Sequence, residues 1–130
     1  MAYTSDESGS SEVYVQSYPS GEKNLVSKGG GREPRWRADG KELFYLDPAN
    51  NLVSVEIKTA PHFEAGAPRK LFTARVSILV GAYSRPGYDV SPDGKRFLIN
   101  TVGRAPEQTA PITVVLNWRG GIAASSGGGK

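Results

Sequence analysis

Trp36-Arg37-Ala38-Asp39-Gly40-Lys41-Glu42-Leu43-Phe44-Tyr45-Leu46 and Val90-Ser91-Pro92-Asp93-Gly94-Lys95-Arg96-Phe97-Leu98-Ile99 write one phrase twice: a short strand, a tight Asp-Gly-Lys turn and a hydrophobic strand. Glycine adopts positive φ at little cost, and an Asp beside it bonds to nearby backbone, so each copy predicts a β-hairpin. A hairpin repeated along a chain predicts a repeat architecture. The two Asp residues stand 54 positions apart, with Arg75 to Gly87 supplying the excess over a repeat of about 40 residues as a long insertion.

Working outward, the chain yields about ten strands. Ala2 to Ser5 and Glu12 to Tyr18 form a hairpin across Asp6-Glu7-Ser8-Gly9-Ser10-Ser11, the second strand alternating apolar and polar residues. Asn24 to Ser27 follows, and Gly29-Gly30-Gly31 then lets the backbone change direction before Glu33 to Arg37. Glu42 to Asp47 pairs with Leu52 to Lys58, and Pro68 to Phe72 is an outer strand with proline at its start, where a missing donor is tolerated. Tyr88 to Val90, Arg96 to Thr101 and Ile112 to Trp118 complete the series. Tyr3 registers with Tyr45, and Val13-Tyr14-Val15 with Val53-Ser54-Val55. The tail from Gly120, poor in large side chains, has the composition of a flexible linker.

The composition agrees with an all-β chain. In 130 residues there are 16 Gly and 9 Pro, between segments rich in Val, Ile, Tyr, Phe and Thr, enough for one modest core. The formal charge of +3 is spread along the chain instead of gathered on one face, which argues against a nucleic-acid partner. Absence of cysteine excludes disulfides and thiolate metal sites. No apolar run approaches the roughly 20 residues of a membrane span, and the N-terminus lacks a signal peptide's basic start and apolar stretch, so a soluble chain with no membrane partner is expected; its compartment is open.

At these residues the chain resembles the WD40-like repeats of bacterial TolB-type β-propellers, over roughly residues 2 to 118. Related repeats occur in propellers of prolyl-oligopeptidase-type peptidases and in sensor regions of bacterial Ser/Thr kinases, and relatives are often extracytoplasmic. The resemblance implies antiparallel blades at about residues 1–31, 32–75 and 86–118 with a flexible tail at 119–130: a partial propeller of about two and a half blades. A ring needs about four to eight, so open edges and faces invite completion by a second or third copy. The apolar insertion Val76, Ile78, Leu79, Val80 and Tyr83 is a candidate oligomer interface, with an ordinary loop as its alternative. In a ring, Arg35, Arg37, Asp39 and Asp89 would lie nearest the axis or its mouth as candidate ligand residues.

Chemistry is sparse by comparison. His62, the single histidine, sits beside Pro61 without companions for a metal site, and no serine lies in a Gly-x-Ser-x-Gly elbow. Gly29-Gly30-Gly31-Arg32 leads into a strand, whereas a phosphate loop leads into a helix. Arg32, Arg35 and Arg37 surround Trp36 as a single-strand nucleic-acid site would, yet on a strand Arg35 and Arg37 share one face and Pro34 and Trp36 the other, which describes a core Trp behind a solvated face. Asp39 and Asp93 are expected to hold their turns. No catalytic, cofactor-binding or metal-binding residue emerges. The expectation is a non-enzymatic propeller module that self-assembles and binds a protein, peptide or small ligand, with a severed accessory piece of a peptidase or kinase propeller as the alternative.

Overall fold

The computed structural model describes residues 1–19, 21–76, 86–101 and 113–116. Within them the chain is all β, without a helix, and its strands pair antiparallel. Sheet I contains β1 (Ala2–Ser5), β2 (Glu12–Gln16) and β3 (Lys23–Leu25), in that order. Sheet II contains β4 (Arg32–Trp36), β5 (Glu42–Leu46) and β6 (Asn51–Lys58), with β7 (Glu64–Ala65) and β8 (Arg69–Thr73) both pairing with β6. In sheet III, β10 (Arg96–Ile99) lies between β9 (Tyr88–Val90) and β11 (Thr113–Leu116). All ten expected strands are present, each end within two residues of its expected place, and the two-residue β7 is an addition. The tail at 119–130 lies outside the described residues.

The sheets stack face to face because alternation sends successive side chains to opposite sides. On sheet II, Leu43, Tyr45, Val53, Val55 and Ile57 form an upstream face that packs with Val13 and Val15 of sheet I and with Val26 just past β3. Phe44, Leu46, Leu52 and Leu71 form its downstream face, against Tyr88, Phe97 and Ile99 of sheet III. Phe44 meets Phe97 edge to face, with ring centroids 5.1 Å apart. Sheet II is thus covered on both faces, and β5 is buried along its whole length.

The equivalence of sheets I and II differs from the sequence register by one residue. Tyr3 pairs with Tyr14, as Tyr45 pairs with Val53. Val13 and Val15 face sheet II from sheet I, the side that in sheet II carries Leu52, so Tyr14, not Val13, corresponds to Val53. A one-residue slip turns every side chain of a strand over, and the run Val-Tyr-Val is apolar in either register, so alternation alone could not choose.

The two Asp-Gly-Lys turns are alike in detail and adjacent in space. Gly40 and Gly94 have φ of 70° and 71°. Gly40 N donates to Arg37 O at 2.9 Å and Gly94 N to Ser91 O at 2.8 Å. In each turn the Asp accepts the lysine N–H two residues on, at 3.0 Å. Ala38 N donates to Pro92 O at 3.2 Å, joining the turns.

These glycines differ in their surroundings, which separates backbone strain from crowding. A Cβ at Gly40 meets nothing within 4 Å, whereas one at Gly94 lies 2.7 Å from Arg37 Cδ. Gly40→Ala should cost about 1–2 kcal/mol from left-handed backbone alone. Gly94→Ala should cost more, because it also displaces the Arg37 stem. Urea unfolding of both variants checks this ordering, which equal losses would refute.

A second link between sheets II and III comes from Glu33. It sits at positive φ, 53°, where the β4–β5 register shifts between Arg32 and Arg35. Its Oε2 accepts Gly87 N at 2.6 Å and its carbonyl accepts the Tyr88 hydroxyl at 2.8 Å. Burial pushes the Tyr88 phenol far above its usual value, so the ring stays a neutral donor. Among the described residues no helix is long and apolar enough to cross a membrane.

Candidate functional site

The four candidate ligand residues fall into two separate pairs. Arg35 on β4 and Asp89 on β9 stand 3.9 Å apart, Nε to Oδ1. They line an open cavity of about 380 Å³ with Tyr88, Leu98 and Asn100. The contact is loose: Asp89 is exposed and its Oδ1 also accepts Val90 N, while Arg35 Nη1 donates to Pro34 O at 3.3 Å. A guanidinium has five donors, so this pair keeps hydrogen-bonding capacity at the cavity mouth.

Arg37 and Asp39 lie past the end of β4, at a different cavity of about 620 Å³ shared with Lys41, Glu42, Glu56 and Lys58. Here Arg37 is clamped. Its Nε and Nη2 each lie 2.8 Å from an Asp39 oxygen, a bidentate pair, and Nη1 donates to Glu42 Oε2 at 2.7 Å. Glu42 is the residue that strand-face reasoning missed. Its carboxylate is buried, and Arg37 N donates to its carbonyl at 2.9 Å, so the hairpin register sets the two side chains opposite each other. The signal was present in the spacing across the Asp-Gly turn. The second copy has Ser91 and Arg96 at these positions, and there the Ser91 hydroxyl donates to Asp93 at 2.5 Å.

The clamp has an electrostatic signature. The hydrogen bond from Arg37, then that from Lys41 N–H, lowers the Asp39 carboxyl from 3.8 to about 2, and the hydrogen bond with Asp39 raises the Arg37 guanidinium. The Ser91 hydroxyl, then Lys95 N–H, lowers Asp93 as well. A carboxyl lowered by folding contributes stability that is complete above its unfolded pKa and lost as pH falls through its folded one. Melting temperature should therefore decline between pH about 4 and about 2, and Asp39→Asn should flatten part of that decline, Asp93 retaining the rest. An unchanged acid slope in Asp39→Asn would refute the assignment.

Trp36 is partly buried against the cluster between sheets I and II, as its strand face predicts. Of the candidate interface residues, Val76 packs partly buried against the cluster between sheets II and III. Ile78, Leu79, Val80 and Tyr83 lie outside the described residues. His62 is exposed, and among the described residues no group of three His, Asp or Glu is placed to hold a metal ion. The arrangement offers charge and hydrogen bonding at two cavity mouths.

Compared with protein-family models the chain matches none, and no curated protein matches it significantly.

Proposed function

We propose that the chain is a partial β-propeller of the TolB type, a non-enzymatic interaction module that completes itself by associating with further copies. One observation carries the reading: sheet II is covered on both faces, whereas among the described residues no hydrophobic cluster covers the outer faces of sheets I and III, where Leu25 and Leu98 stay about half exposed. The repeated turns and the stacking of antiparallel sheets support the same reading. So does the edge of β1. Met1 and Gln16 exchange both backbone hydrogen bonds, so alternation directs the N–H and C=O of Ala2 and Thr4 away from β2, where another strand can pair. The cavity beside Arg35 and Asp89 is the place where a peptide or small polar ligand would be received.

Light scattering coupled to size exclusion tests the association. A discrete dimer or trimer of the 13.9 kDa chain is expected. A single-chain mass at every concentration overturns self-assembly and favours the alternative, an accessory piece of a peptidase or kinase propeller whose neighbouring sheets come from elsewhere.

A further inference from the structure

The two outer faces are different surfaces, and their difference gives the association a direction. On sheet III, Leu98 pairs with Asp89 and Phe97 with Val90; on sheet II, Phe44 pairs with Arg35 and Leu43 with Trp36. Leu98 therefore occupies the position of Phe44. Phe44 is 0% exposed because sheet III covers it, and Leu98 is 48% exposed. Among the described residues, sheet III thus leaves Leu98 half exposed on its downstream face.

Sheet I presents the opposite kind. Tyr3 and Tyr14 hold the positions of Tyr45 and Val53, both of which sheet I buries on the upstream face of sheet II. Leu25 pairs with Tyr14 on this face and is 53% exposed. The Tyr3 and Tyr14 rings stack at 6.0 Å, and Lys23, paired with Glu7, lies 4.1 Å above Tyr14, which is 7% exposed beneath it, so Leu25 is the open part of this face and Lys23 its movable cover.

Both contacts between sheets within the chain set an upstream face on a downstream one. We infer that copies associate head to tail, the Tyr3–Tyr14–Leu25 face of one chain seated on the Leu98–Asp89 face of the next. This rests on the proposed self-assembly and adds its polarity. Repeating the internal stacking step once more sets sheet III of one copy against sheet I of another, whereas a two-fold dimer would set like face on like face. The pairs Lys23 with Glu7 and Arg96 with Asp89 set charges of both signs on each face, so no like-charge field opposes docking. A heterologous contact of this kind either closes into a ring or continues as a filament.

The two contacts can be blocked separately, since Leu25 and Leu98 are both exposed and their replacement spares the core. Leu25→Asp and Leu98→Asp should each run as a single chain, with β-sheet circular dichroism and melting like the parent. Mixed in equal amounts they should form a heterodimer of twice the chain mass, because the mixture restores one intact pair of faces. If instead one variant stays dimeric and mixing adds nothing, the association is two-fold and the head-to-tail reading is overturned. Two variants that both still assemble overturn it as well. A monomeric parent chain refutes the self-assembly beneath it, a distinct result.

Discussion

Phe44→Ala is expected to lower the unfolding free energy by about 3–5 kcal/mol, as deletion of a fully buried aromatic ring does. Phe44 is 0% exposed at the centre of the cluster joining sheets II and III, where its edge-to-face contact with Phe97 places two rings that Phe72 extends, 5.7 Å from Phe97. Removing it opens a cavity between two sheets whose backbones are held by their own ladders and cannot close over it. Domains are stable by about 5–15 kcal/mol, so the variant should lose much of its reserve. Leu98→Ala, at the equivalent position of sheet III, should cost less than about 1 kcal/mol in the dilute chain, because Leu98 is already half exposed. Denaturant titration at low concentration distinguishes them, and equal losses would mean that sheet III is covered on its downstream face within one chain.

The second large effect lies at a buried carboxylate. Glu12, at the start of β2, accepts the Ser27 hydroxyl and, at 3.0 Å, the N–H of Gly30. Ser27 in turn accepts Val13 N at 2.8 Å and is completely buried. Glu12→Ala strands two buried donors, each costing about 1–3 kcal/mol when left without a partner. It also frees the passage from sheet I to sheet II, where Gly31 leaves no room: a Cβ there would lie 2.8 Å from Ser27 Cβ and 3.0 Å from the Tyr45 ring. Glu12→Gln should recover part of the loss, since its carbonyl still accepts from Gly30 and its amide can donate to the Ser27 oxygen, although the Ser27 hydroxyl proton loses its acceptor. If Gln proves as damaging as Ala, the charge matters more than the hydrogen bonds.

Self-contained chemistry was the readable part. The Asp-Gly-Lys turns, the strand order around them and the turn-holding roles of Asp39 and Asp93 follow from contacts between residues only a few positions apart. The partial burial of Trp36 follows from strand alternation in the same way. Residues far apart in the chain were harder. Glu33 reaches Gly87 and Tyr88 across more than fifty residues, and no local pattern announces a glutamate at positive φ in a strand. Arg35 and Arg37 read as one patch from their spacing, yet the end of β4 sends them to different cavities, and the hairpin register gives Arg37 a second carboxylate in Glu42.

By itself the amino-acid sequence determined that this chain is built of antiparallel hairpins with repeated turns, because period-two alternation and left-handed glycines are local physical constraints. Only the tertiary structure decided which side of each strand is covered. It set Val13 and Val15 toward sheet II and Tyr14 on the opposite face beneath Lys23, buried Phe44 and left its counterpart Leu98 half exposed. Burial depends on which sheet stacks on which, and that depends on packing between distant segments that no single strand's composition records.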